Sequence, residues 1–157
     1  GSPIIFKQKR VGINMKPFLI YKLRTMKNNA PELGTHKVKS DFYLNVGKII
    51  RNLKLDEFPQ FLNVIEGKLS LVGPRPCLFN QKELLEARQR RKLVSIQPGV
   101  TGITQIFNVD MSNPERQTTI DGIFYINNKK EFNLYFLALF STFFPPLRRL
   151  LRDFLKH

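Results

Sequence analysis

Two carboxylates stand side by side at Asp56-Glu57, in a chain whose 157 residues carry 26 Lys and Arg against 12 Asp and Glu. A carboxylate can attack phosphorus and form an acyl-phosphate. A second one beside it can hold Mg²⁺, a hard cation that takes oxygen ligands and bridges substrate phosphates. Phosphoryl transfer needs mainly positioning and cations near the developing charge, and Lys22, Arg24 and Arg75 are candidates for that work. The pattern predicts that Asp56 is a helix N-cap, accepting from the free N–H groups of the first turn. A helix N-terminus favours an anion and attracts a phosphate. Pro59 falls in that expected first turn and Gly67 ends the helix. On spacing alone, an Asp-Glu pair is more often only a stable helix start.

The elements that must position these groups can be read from periodicity. Pro3 to Lys9 and Pro17 to Arg24 read as two strands of a β-hairpin, joined through Gly12, Asn14 and Lys16. Residues 27–39 read as a polar loop. Tyr43, Val46, Ile49, Ile50 and Leu53 repeat at helical spacing, with Lys48, Arg51 and Asn52 on the other face. Phe58, Phe61, Leu62 and Ile65 do the same after Asp56. Leu69 to Val72 is a short apolar run, ended by the stiff turn Gly73-Pro74-Arg75-Pro76, and Gln81 to Leu93 reads as a charged helix. Gln97 to Gly102 reads as a tight turn, Ile103 to Phe107 as a short extended piece, and Pro114 to Tyr125 as a helix containing Asp121. After the apolar stretch Phe132 to Phe144, Leu147, Leu150, Leu151, Phe154 and Leu155 share one helical face, with Arg148, Arg149, Arg152 and Lys156 elsewhere. That pattern predicts a helix lying in a membrane interface, with an amphipathic helix on the protein's own core as the alternative. The expected fold is one α+β domain over residues 1–157, a small hairpin with several helices, and a membrane-interface segment at 131–157.

Composition narrows the partners. A formal net charge of +14 calls for something anionic: nucleic acid, an anionic membrane or phosphorylated substrates. No nucleic-acid motif is present, so nucleic acid is not expected as a partner. The one cysteine, Cys77, excludes an internal disulfide and a thiolate metal site, and beside Pro76 it reads as a small buried residue. His36 and His157 do not look like zinc ligands. No signal peptide is expected, and no stretch reaches the ~20 apolar residues of a transmembrane helix.

Five segments, in order, carry a more specific message. They are Pro3-Ile4-Ile5-Phe6-Lys7-Gln8-Lys9-Arg10-Val11-Gly12, Phe18-Leu19-Ile20-Tyr21-Lys22-Leu23-Arg24-Thr25-Met26, Leu55-Asp56-Glu57-Phe58-Pro59-Gln60-Phe61-Leu62-Asn63-Val64, Ser70-Leu71-Val72-Gly73-Pro74-Arg75-Pro76 and Pro98-Gly99-Val100-Thr101-Gly102-Ile103-Thr104-Gln105. Together they resemble the bacterial sugar transferase family, the monotopic polyprenyl-phosphate phosphoglycosyl transferases, over most of residues 3–126. The resemblance implies transfer of a sugar 1-phosphate from a UDP-sugar to polyprenyl phosphate, with release of UMP, at the cytoplasmic face of the bacterial inner membrane. It implies that Asp56 is the nucleophile and that Glu57 binds Mg²⁺. It implies that Lys22 and Arg24 line the phosphate site and that Arg75 binds the nucleotide-sugar phosphates. Asp121 matches a family aspartate with a structural or site-shaping role. Arg24 could instead pack in the hairpin and Asp121 could only form a salt bridge. The sequence departs from the family around Ser40 to Asn45, at Asn108-Val109-Asp110 and at Asn127 to Lys130. A catalytically inactive membrane-surface homologue and a basic nucleic-acid-binding module are the alternative readings.

Overall fold

The computed structural model describes residues 3–31, 40–107, 109, 112–127 and 139–140. Strands β1 (Ile5–Val11) and β2 (Pro17–Leu23) form the expected hairpin, antiparallel from Ile5 opposite Leu23 to Val11 opposite Pro17. Its turn passes through Asn14 and Met15 at positive φ, and the Gly12 N–H donates to the Lys16 carbonyl. Alternation sends Phe18 and Ile20 inward, where they pack with Leu69, Val64 and Val100.

Beyond β2 the chain turns into α1 (Asn45–Asn52). This helix docks closely because residue 47 is glycine: a Cβ there would meet the Thr25 carbonyl oxygen at 2.2 Å. Gly47→Ala must therefore push α1 off the end of the hairpin. Urea unfolding is expected to show a loss of about 1–3 kcal/mol, the range for overpacked sites; a loss under about 0.5 kcal/mol would mean that the helix moves freely. Lys54, at φ 60°, ends α1 in the left-handed conformation and reverses the chain.

A 3₁₀ turn, Leu55–Glu57, then leads to the short helix α2 (Gln60–Ile65). Asn63 is fully buried and pins α2 to the outer edge of β2. Its Nδ2 donates to the Leu19 carbonyl at 2.8 Å, and its Oδ1 accepts from the Tyr21 N–H at 3.1 Å. One side chain thus satisfies a strand edge and sets the distance between the Asp56-Glu57 turn and Lys22.

Strand β3 (Ser70–Val72) pairs in parallel with β4 (Gly99–Thr101), and α3 (Lys82–Arg90) lies between them in sequence. Short helix α4 (Ile103–Ile106) follows directly, then α5 (Pro114–Gly122), capped by Asn113 Oδ1 accepting from the Arg116 N–H. A π-turn, Ile123–Asn127, continues α5. Val72 and Ile103 form the core between these pieces, with Phe107, Ile120 and Phe124 against them.

The fold is α+β, as expected, but two segments differ. The tight turn expected at 97–102 contains strand β4, and the extended piece expected at 103–107 is helix α4. The cause is non-local. A Cβ at Gly99 would meet Gly73 N at 2.1 Å, so the glycine serves close strand packing rather than a turn. The apolar faces read in the sequence are not covered: Val46 and Ile49 of α1, Leu62 and Ile65 of α2, and Leu53, Leu55 and Phe58 between the two helices are exposed, Phe58 at 68% and Ile65 at 83%. The interfacial helix expected at 147–155 and His36 lie outside the described residues, in which no helix is long and apolar enough to cross a membrane.

Candidate active site

Asp56 is not a helix N-cap. It sits in the middle of the 3₁₀ turn, 5% exposed, and α2 begins only after Pro59, with no side-chain cap. The left-handed Lys54 reverses the backbone and tucks this side chain inward. Its cation is Arg51, with Nε 3.8 Å from Asp56 Oδ2. Arg51 is itself fixed: Nε donates to Thr25 Oγ1 at 2.8 Å, Nη1 donates to the Tyr43 hydroxyl at 3.0 Å, and the guanidinium lies 4.8 Å from the Tyr43 ring centre.

Glu57 faces two cations. Lys22 Nζ donates to Oε1 at 3.1 Å and Arg75 Nη2 donates to the same oxygen at 3.0 Å. Lys22 comes from β2, and Arg75 from the stiff Gly73–Pro76 turn after β3. The two carboxyls are driven apart electrostatically. Burial pushes Asp56 up, helped by the negative Glu57 and opposed by Lys22, Arg51 and Lys54. Burial pushes Glu57 up as well, but Lys22 and Arg75 outweigh it and bring it down to about 2. Lys22 is lowered, first by burial, with Arg75 and Arg10 adding to it and Glu57 opposing. Adjacent carboxyls held at different basicities suit different tasks. Of the two, Asp56 is the more basic. Glu57 stays anionic at any working pH.

Of the other residues expected at the site, Arg24 does not touch the pair. Its Nε donates to the Pro3 carbonyl, Nη1 donates to Asn28 Oδ1, and its guanidinium lies over Phe6. Asp121 is fully buried and reaches the site only indirectly. Arg88 Nη2 lies 4.0 Å from its Oδ2 and donates to the Arg75 carbonyl at 2.7 Å. Asp121 thus stands behind Arg75 rather than against the carboxylate pair. Burial raises its carboxyl to about 7, with Arg88 opposing. Sequence reasoning missed Arg51, Asn63 and Arg88. Arg51 read as one charge on a polar helix face, and Arg88 as one of many in α3.

No group of three or more His, Cys, Asp and Glu side chains stands together among the described residues. Asp56 and Glu57 are two adjacent oxygen donors, a set that fits Mg²⁺, which binds through one or two carboxylates plus substrate phosphates.

The family model for bacterial sugar transferases matches residues 1–149. The chain belongs to the bacterial sugar transferase family. Among its relatives in that family, the uncharacterized sugar transferase EpsL of Bacillus subtilis is 40% identical over 128 residues, 82% of this chain and 62% of that protein. The UDP-glucose:undecaprenyl-phosphate glucose-1-phosphate transferase of Escherichia coli K12 is 34% identical over 149 residues, 91% of this chain and 30% of that protein. The Caulobacter vibrioides protein of the same name is 39% identical over 109 residues, 67% of this chain and 41% of that one. The chain therefore spans less than two thirds of the length of these relatives.

Proposed function

We propose that this chain is the catalytic domain of a phosphoglycosyl transferase, which moves a sugar 1-phosphate from a UDP-sugar to a polyprenyl phosphate. An Asp56 carboxylate oxygen attacks the sugar-bearing phosphorus, and the bond from that phosphorus to UMP breaks. The polyprenyl phosphate oxygen then attacks the same phosphorus, the aspartyl bond breaks, and Asp56 is restored. The buried pair carries this reading: Asp56, made more basic by burial, beside a Glu57 held anionic by Lys22 and Arg75. Lys22 and Arg75 are positioned to take the diphosphate charge as it redistributes. Glu57, with Asp56 beside it, would hold Mg²⁺, which when bound supplies positive charge to the diphosphate oxygens. The printed names of the relatives, transferases acting on undecaprenyl phosphate, support the same acceptor class. The exposed apolar side chains Val46, Ile49, Leu62 and Ile65 support work at a membrane surface, which we assign, with the family resemblance, to the cytoplasmic face of the bacterial inner membrane.

Intact-mass spectrometry tests the reaction. A panel of UDP-sugars with Mg²⁺ is expected to give one phosphosugar adduct and equimolar UMP, and chelation by EDTA is expected to abolish both. UMP release with no covalent species, at millisecond quench times, would replace the two-step reaction with direct transfer.

A further inference from the structure

The turn that carries Arg75 is short of donors. Pro74 and Pro76 have no N–H, and Pro76 restricts Arg75 to extended backbone. Four successive carbonyls of this segment are nevertheless held from outside it. The Gly99 N–H donates to the Pro74 carbonyl at 3.1 Å, and the Val11 N–H donates to the Cys77 carbonyl at 3.0 Å. The two carbonyls between them accept from guanidinium groups. Arg88 Nη2 donates to the Arg75 carbonyl at 2.7 Å, and Arg10 Nη1 donates to the Pro76 carbonyl at 3.2 Å. Arg88 comes from α3 and Arg10 from β1, so two distant elements grip adjacent peptides of one turn. Arg10 is aimed in its turn by Gln8, two residues earlier on the same face of β1. Gln8 is buried, and its Oε1 accepts from Arg10 Nη2 at 2.7 Å.

This arrangement gathers Arg10, Arg75 and Arg88 at one place, and like charges repel. A neutral amide could have satisfied the same carbonyls. The Arg10 charge also reaches the site: with Arg75 it acts against the ammonium of Lys22. Arg75 itself spans from the turn to Glu57 Oε1, at 3.0 Å, on a part-exposed side chain. The position of the turn therefore decides where its guanidinium arrives.

We propose that Arg10 is a positioning residue for transfer: through the Pro76 carbonyl it fixes the turn, and with it the reach of Arg75 to Glu57 and the donor phosphates. The proposal rests on the transfer reaction proposed above. Without Arg10 the turn keeps Arg88 on one side only and can pivot.

Steady-state transfer by the whole chain tests it. Arg10→Gln is expected to lower kcat by about 10–100-fold, the range for a lost charge-assisted hydrogen bond or a small misplacement, with KM for the UDP-sugar changed less than about threefold. Arg10→Lys keeps one charged donor for the carbonyl and is expected to recover part of that rate. On an Arg75→Ala background, Arg10→Gln is expected to cost less than about twofold, because its effect runs through Arg75. Unaltered kcat in a folded Arg10→Gln chain, or the same loss on both backgrounds, overturns the proposal. Amide exchange gives a readout that needs no turnover. The Gly73 and Gly99 amides are expected to exchange at least about tenfold faster in Arg10→Gln, with the β1–β2 amides unchanged; equal protection at Gly73 and Gly99 counts against the grip and decides the matter if Arg75→Ala is silent. Should Arg10→Gln fail to fold, Gln8→Ala frees the Arg10 side chain without removing its charge. It is expected to lower kcat by about threefold or more and to loosen the same two amides, and no change in either overturns the proposal. The two readings fail separately. An adduct from wild type with unaltered kcat in Arg10→Gln removes the positioning role and keeps the transfer; faster exchange in Arg10→Gln, with no adduct from any UDP-sugar, keeps the grip on the turn and removes the transfer.

Discussion

Asp56→Asn is expected to fold, to form no phosphosugar adduct, and to lose transfer by on the order of 10⁴-fold or more, the scale seen when a covalent nucleophile is removed. Asparagine has the shape of aspartate but offers no anionic oxygen to phosphorus. The same change should not cost stability at neutral pH. Asp56 is 5% exposed and its carboxyl is raised on balance, so a neutral isostere removes a desolvation penalty and the repulsion of Glu57, and these outweigh the lost attraction of Lys22, Arg51 and Lys54. Arg51 keeps Thr25 and the Tyr43 hydroxyl. A thermal midpoint at or above the wild-type value, together with a silent adduct assay, separates chemistry from folding. If the adduct survives in Asp56→Asn, the nucleophile is another group and Asp56 is only a buried carboxyl.

Local patterns made part of this site legible. The hairpin followed from β-favouring runs around Gly12 and Asn14, and the two helices flanking Asp56 followed from their 3.6-residue repeats. The Asp56-Glu57 pair drew attention because adjacent carboxylates are unusual in so basic a chain. What could not be read depends on distant partners. Strand β4 exists because β3 lies beside it and because Gly73 and Gly99 permit the approach; residues 97–102 alone carry only a turn signature. Asp56 resembles a cap because Pro59 follows it, and nothing local says that Lys54 adopts a left-handed conformation. Periodicity also reports that apolar residues share a face without saying what the face meets. For Val46, Ile49 and Leu53 it meets no core. Arg51 was hidden for the converse reason: it lies on the polar side of α1, where a charge ordinarily faces solvent.

Asp121→Asn should flatten the dependence of stability on pH. In the folded chain burial raises the Asp121 carboxyl from 3.8 to about 7. Between those values the native state holds a proton that the unfolded chain releases. Stability from this group is therefore present below about pH 4 and is lost as pH rises toward 7, at about 1.4 kcal/mol per unit and about 4 kcal/mol in all. Asparagine does not titrate. The variant is expected to match wild type near pH 4 and to exceed it by up to about 4 kcal/mol above pH 7, by urea unfolding at pH 4.5, 6 and 7.5 with unchanged m-values. Parallel wild-type and variant curves would mean that the carboxyl is ionised throughout and that Arg88 fully offsets its burial. A carboxyl that destabilises the native state at neutral pH needs a return in function. The geometry supplies one: Arg88, 4.0 Å from Asp121, donates to the Arg75 carbonyl, and Arg75 grips Glu57. Without the anion, Arg88 loses the charge that holds it against that carbonyl. The more stable variant should then transfer more slowly, with kcat reduced more than KM rises. Stability and turnover moving in opposite directions is what a positioning carboxyl requires, and a purely structural one would move them together.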